Sequence, residues 1–182
     1  MLSKARIAIS GKSGCGNSTV TRLVAGELGL RIINYTFKDM AMEMGISFEE
    51  MVELANRHPP EYDIRLDRKL VAMASEPGCV LGSRLAIWLL KDADLKVYLA
   101  ASPEVRARRI AEREGIAYDA SLKSMMRRDE LDYARYRRIY RIDTDSYDFA
   151  DLIIDTEKMD PRAETRAIVS ALAAKKKGDP SE

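Results

Sequence analysis

The chain has 182 residues, 46% of them hydrophobic, and its 30 Lys plus Arg nearly balance 29 Asp plus Glu for a net charge of +1. That length gives one domain, 1–182, with a core large enough to fold without disulfides or structural metal, and the balanced charge argues against a general nucleic-acid binder. One histidine, His58, and two cysteines, Cys15 and Cys79, exclude a His/Cys zinc site and a Cys₄ cluster on ligand count.

The two widely spaced cysteines fit reduced thiols and a cytoplasmic setting. No apolar run approaches the roughly 20 residues that cross a membrane.

In chain order, Ala5–Ser10 is short, apolar and β-branched, and reads as a strand; glycines follow at once, which argues against a signal peptide. Gly11–Gly16 is a glycine-rich loop. Val20, Leu23, Val24 and Leu28 have helical spacing over Ser18–Leu28, and Gly29 stops the helix. Arg31–Asn34 is a second strand. Two helices, Phe37–Met44 and Ser47–Arg57, break at Gly45, and the second opens on a capping-box pattern, Ser47-Phe48-Glu49-Glu50. Tyr62–Ser75 is a further helix closed by Pro77-Gly78. Cys79-Val80-Leu81 and Leu95–Ala100 are strands separated by a short helix, Leu85–Leu90. Pro103 starts a helix to Glu114, and Asp119–Tyr140 is a long charged helix. Leu152–Asp155 is the last strand and Pro161 begins the final helix. The end, Lys175 to Glu182, is polar and expected to fray; its lysines read as a positive helix end in preference to a nucleic-acid tail.

Strands alternating with helices predict a three-layer α/β fold with a parallel sheet. The segment from about Gly115 to Asp145 looks least like core and is the candidate for a mobile insertion.

Gly11-Lys12-Ser13-Gly14-Cys15-Gly16-Asn17-Ser18-Thr19 stands between the first strand and the first helix. Its spacing is that of the P-loop, G-x-x-x-x-G-K-[ST], whose glycines let backbone N–H groups surround a phosphate at a helix N-terminus. Ser18 holds the position that binds Mg²⁺. Asn17 stands where the lysine belongs; Lys12 reads as a solvated loop lysine or as a substitute cation folded back over the phosphates. The third strand runs into Gly82-Ser83-Arg84 with no acidic residue to hold Mg²⁺ through water. Arg84, at the carboxyl end of a parallel strand, reads as a clamp on a substrate phosphate or as a surface arginine capping the strand.

Six arginines lie between Arg127 and Arg141. Arg128, Asp132 and Arg135 fall at i, i+4 and i+7 on one helix face, and Asp129 and Asp132 can hold arginines in register. The segment reads as an arginine lid for phosphoryl transfer, as a solvated ion-paired helix, or as an RNA-binding helix.

These stretches together resemble the cytidylate kinases, most closely their compact archaeal-type (type 2) branch. The likeness rests on the loop Gly11–Thr19, on Gly82-Ser83-Arg84-Leu85-Ala86-Ile87-Trp88, Ala93–Val97 and Ser102–Ala111, and on Arg128-Asp129-Glu130-Leu131-Asp132-Tyr133-Ala134-Arg135, Tyr136–Asp145 and Asp151–Thr156. The R-D-x-x-D-x-x-R run is the most specific piece. The resemblance implies a nucleoside monophosphate kinase with a five-stranded parallel sheet, an acceptor flap at about 35–76 and a helical lid at about 116–145. It implies phosphoryl transfer from ATP to CMP or dCMP with Mg²⁺, in a monomer whose partners are small nucleotides, with no membrane or nucleic acid. By position, Gly11–Thr19 would hold ATP phosphates and Ser18 the metal. Lys12, Arg128, Arg135 and Arg138 would be catalytic cations, with Asp129 and Asp132 orienting the lid. Lys38, Asp67, Arg68 and Arg84 would contact the acceptor. The chain departs from the family at Asn17, at Gly82-Ser83, which replace an acidic residue and a glycine, and in a short flap entry, Asn34–Lys38. These departures leave open a nucleotide binder without transfer activity or a kinase for another small acceptor.

Overall fold

Ile7, Ala8, Ile9 and Ser10 are fully buried, so strand β1 (Arg6–Gly11) has no solvent face. Such an unbroken run belongs at the centre of a parallel sheet covered on both sides. The computed structural model describes residues 2–177 and places β1 there. With β2 (Arg31–Ile33), β3 (Cys79–Gly82), β4 (Leu95–Ala100) and β5 (Leu152–Asp155) it forms one all-parallel sheet in the order β2-β3-β1-β4-β5. The helices are α1 (Asn17–Leu28), α2 (Phe37–Met44), α3 (Phe48–Arg57), α4 (Glu61–Met73), α5 (Ala86–Leu89), α6 (Pro103–Glu114), α7 (Tyr118–Tyr140) and α8 (Pro161–Lys177). A 3₁₀ turn, Leu2–Lys4, precedes β1 and was not expected.

Alternate residues of the central strands serve opposite layers. Ile7, Ile9, Val97 and Leu99 pack with Val20 and Val24 of α1 and with Ile168 and Leu172 of α8. Ala8, Leu81 and Tyr98 face Met40, Met51, Leu70 and Ile87 of α2–α5. The result is the expected three-layer α/β fold with a P-loop. The Ser47 capping box is present, with Ser47 N donating to Glu50 at 2.8 Å and Glu50 N to Ser47 Oγ at 3.1 Å. A second box, Thr36 with Asp39, opens α2.

The charged segment contains the expected long helix, α7, but it is not without a core face: it buries Ser121, Met125 and Tyr136. Met125 packs with Ala107 and Ile110 of α6, and Ser121 Oγ donates to the Ala107 carbonyl at 2.8 Å. A narrow buried stripe suffices to dock a helix whose other faces are charged.

Lys175 and Lys176 pair with Asp151 at 2.7 Å and Asp94 at 3.2 Å, as fits a positive helix end against neighbouring acids. Residues 178–182, expected to fray, lie outside the described residues. Among the described residues no helix is long and apolar enough to cross a membrane.

Glu164, in the first turn of α8, is 3% exposed. Burial pushes its carboxyl from an ordinary 4.5 up to about 7, with Arg109 opposing the rise and Asp160 adding to it. The folded chain therefore holds a proton that the unfolded chain releases, and this group's contribution to stability falls as pH rises from about 4.5 to about 7. Glu164→Gln is expected to flatten that fall and to be the more stable protein at pH 8, read by urea unfolding across the range. An unchanged slope in the variant contradicts the assignment.

Candidate active site

The loop leaving β1 is shaped by what touches it. A Cβ at Gly11 would come within 2.8 Å of the Leu99 carbonyl. Gly14 has φ +84°, and a Cβ there would lie 2.8 Å from the Arg106 carbonyl and 2.9 Å from the Arg106 Cβ. Gly16, with φ +90°, caps α1 in a left-handed conformation that favours glycine.

Arginines grip the loop's oxygens. Arg106 Nη1 donates to the Ser13 carbonyl at 3.1 Å and Arg109 Nη1 to the Gly14 carbonyl at 3.4 Å. Arg84 Nη2 donates to the Ser13 hydroxyl. Because a trans peptide points its C=O and N–H to opposite sides, the Ser13 carbonyl turned to Arg106 sends the Gly14 N–H away from it. Arg109 is itself fixed by Thr156, donating to Oγ1 at 2.9 Å and to the carbonyl at 2.7 Å.

In front of the loop lies a cleft of about 630 Å³. Loop residues Gly11, Lys12, Ser13, Gly14, Gly16, Asn17, Ser18 and Thr19 form one wall, and the end of β3, Gly82-Ser83-Arg84, forms another. Arg109, Ile110, Arg113 and Glu114 of α6 and Ser124, Met125 and Arg128 of α7 complete it. Its place is the carboxyl end of the central strands at a helix N-terminus, where open α/β sheets bind anionic ligands.

The sequence-derived residues divide accordingly. The loop residues other than Cys15, together with Arg84 and Arg128, meet in this cleft. The Cys15 side chain turns into the core at 2% exposure, and burial raises its thiol pKa. Arg128 is exposed and has no ion-pair partner among the described residues. Lys12 lies at the cleft edge with its ammonium 2.6 Å from Asp145. Asn17 does not extend as a lysine would; its amide donates to the Ile9 carbonyl at 3.3 Å.

Arg84 pairs with Asp132, and burial lowers its pKa. Asp132 also takes Arg135 at 3.0 Å, the in-helix pairing expected. Asp129 does not orient a lid arginine: it pairs at 2.7 Å with Arg106 of α6, because the packing of α7 on α6 brings that buried guanidinium to it. Arg135 reaches Asp63 of α4 at 3.3 Å, and the Tyr140 hydroxyl donates to Asp67 at 2.6 Å. Asp67 is thus taken up by α7, and burial raises its pKa despite that hydrogen bond.

Asp67, Asp129, Asp132 and Arg135 thus stand behind the cleft wall rather than in it, and Lys38, Arg68 and Arg138 are neither in the cleft nor in these contacts. Lys38 is exposed on α2, 5.6 Å from the Phe48 ring centroid. Arg68 and Arg138 are exposed on α4 and α7, with no hydrogen bond or ion pair among the described residues. The sequence pattern assigns no site role to Arg106, Arg109, Arg113 or Ser83, and puts Asp145 at the acidic end of the charged segment without a role. The run at 106–109 reads as helix surface, and only its position after β4 pointed to the loop.

Loop, sheet order and cleft define a P-loop kinase fold. A shikimate kinase from Acinetobacter baumannii, solved in complex with shikimate, has the same fold, with TM-score 0.59 and 20% identity over 95% of each chain. Residues 6–158 match the Cytidylate kinase-like family. "Cytidylate kinase 2" of Borreliella afzelii (strain PKo) is 50% identical over 153 residues, 82% of this chain and 86% of that one. "Cytidylate kinase" of Ignicoccus hospitalis is 38% identical over 165 residues, 89% and 95% of the two chains. The chain belongs to the cytidylate kinase-like family.

The Arg106 brace has a stability consequence. Removing one partner of a buried ion pair costs about 3 kcal/mol, because the other charge is left uncompensated. Arg106→Met is expected to lose that much in urea unfolding, whereas Arg113→Met, at an exposed side chain, is expected to change stability by less than about 0.5 kcal/mol. Equal effects contradict the brace.

Proposed function

We propose that the protein transfers the γ-phosphoryl group of ATP to CMP or dCMP, giving ADP and CDP or dCDP. The observation that carries the proposal is the cleft itself: a glycine loop at a helix N-terminus faced by Arg84, Arg109, Arg113 and Arg128, in a chain whose curated relatives are named cytidylate kinases. An oxygen of the acceptor phosphate attacks the γ-phosphorus in line. The new P–O bond forms as the bond from that phosphorus to the β,γ-bridging oxygen breaks, and the electron pair leaves with ADP. No covalent enzyme intermediate is needed, so the work of the protein is positioning and charge stabilisation.

In this reading the loop binds the donor phosphates through its amides. Arg84 holds a phosphate through its planar fork, and Arg128 closes on the charge that develops during transfer. Lys12 adds charge once a phosphate replaces Asp145. We assign 116–145 as the lid and 35–76 as the acceptor flap; the Arg135–Asp63 and Tyr140–Asp67 contacts that join α7 to α4 support this.

Mg²⁺ fits the residues present. Ser18, exposed in the first turn of α1, lines the cleft, and Ser83 Oγ is buried there with no hydrogen-bond partner among the described residues. Among the described residues no cluster of three acidic, His or Cys side chains forms a cage. Neutral hydroxyls suit an ion held mainly by substrate phosphates and water. Bound there, Mg²⁺ would neutralise charge on the β- and γ-phosphates.

Incubation with ATP, Mg²⁺ and a panel of nucleoside monophosphates is expected to give CDP or dCDP selectively, read by separating the diphosphates. A flat panel with ATP still bound contradicts transfer to these acceptors. Arg128→Ala is expected to lower kcat at least about tenfold while ATP affinity changes less than about threefold, because the arginine acts on the transition state. Equal losses in both contradict its role.

A further inference from the structure

Asn17 stands where the P-loop pattern has lysine, and β3 runs into Gly82 where the acidic residue is missing. The structure joins the two departures through Thr21, one turn along α1 and 4% exposed. Its hydroxyl donates to Asn17 Oδ1 at 3.2 Å. Asn17 Nδ2 donates to the Ile9 carbonyl at 3.3 Å, an acceptor shared with Ser83 N at 3.1 Å. The orientation of the amide follows from chemistry: a carbonyl accepts only from the NH₂ side, which leaves Oδ1 for the hydroxyl.

Gly82 completes the unit. A Cβ on it would lie 3.0 Å from Thr21 Cβ and Cγ2 and closer still to the hydroxyl oxygen. Thr21 therefore fills the space that a side chain at 82 would need. An acid at 82 and a threonine packed in this position exclude one another, and the neutral amide at 17 has neutral partners.

The Asn17 amide carries two N–H groups, and Ile9 takes one. The other has no acceptor among the described residues, and Asn17 lines the cleft. We propose that this second N–H is a neutral donor to the terminal phosphates of the donor nucleotide and that Thr21 is the positioning residue that aims it. The proposal rests on the reading of the cleft as the donor-nucleotide site. It predicts that Thr21 acts on ATP affinity through Asn17, not through the fold at large.

The test is a mutant cycle read by equilibrium binding of Mg²⁺-ATP in the absence of acceptor, which needs no turnover. Loss of one neutral hydrogen bond corresponds to about a fivefold change. Thr21→Val, which keeps shape and removes the hydroxyl, is expected to weaken ATP binding about fivefold. Thr21→Ser, which keeps the hydroxyl, is expected to stay within about twofold of the parent, and Asn17→Ala to weaken binding by about five- to tenfold. Adding Thr21→Val to Asn17→Ala is expected to change nothing further. An unchanged affinity in Thr21→Val, or the same loss in both backgrounds, overturns the proposal. Thr21→Ala serves in the same cycle should the valine branch disturb the loop. A parent protein that does not bind ATP overturns the site reading and this assignment together. A parent that binds ATP but makes no CDP overturns the acceptor and leaves the cycle as the test of Asn17.

Discussion

The guanidinium of Arg106, a residue only 4% exposed, is the tie on which the cleft depends. It donates to the Ser13 carbonyl and pairs with Asp129, so one buried charge holds the glycine loop, α6 and α7 at once. A charge taken so far from water must be paired and hydrogen-bonded. Gly14 lies against the Arg106 backbone with no room for a Cβ, so the loop and α6 meet through bare backbone. Arg109 repeats the arrangement one turn later, with Gly14 on one side and Thr156 on the other. A loop without side-chain bulk keeps its shape because its carbonyls have fixed partners behind it.

The carboxylates on the cations around the loop come from α7 and the residues just after it. Asp132 sits on Arg84, Asp129 on Arg106 and Asp145 on Lys12. In the proposed reading, a phosphate entering the cleft competes with Asp132 and Asp145, so nucleotide binding and the position of α7 are thermodynamically linked. In the same reading, positive charge for the phosphates comes from arginines whose forks match phosphate oxygens, and position 17 is left to a neutral amide. The Arg135–Asp63 and Tyr140–Asp67 contacts extend the linkage to α4. Helix α7 thereby joins the wall of the cleft to α4.

Much of this was legible in the sequence, for local reasons. Ala5 to Ser10 reads as a strand from its apolar, β-branched run, and the glycines at 11, 14 and 16 between strand and helix have the spacing of a phosphate loop. The Ser47 box and the alternation of elements gave the layers. What stayed hidden depends on which helix lies against which. Asp129 was paired with arginines of its own helix because i, i+4 spacing sees only one helix, and its partner proved to be across an interface. Arg106 was hidden because arginine is almost never buried unless paired. Position in the family pattern puts Lys38 and Arg68 at the acceptor, whereas α2 and α4 leave both side chains exposed. The charged segment looked unlike core on average composition, yet three of its residues, Ser121, Met125 and Tyr136, make a buried stripe.

Helix α6 holds the glycine loop from behind through Arg106 and Arg109. Amide hydrogen exchange resolved over residues 11–19 tests it most directly, comparing the parent protein with Asp129→Asn, which keeps the side-chain shape and removes the charge that holds Arg106. The account predicts faster exchange in the loop with the amides of β1 and β4 unchanged. Loop exchange identical to that of the parent would contradict it.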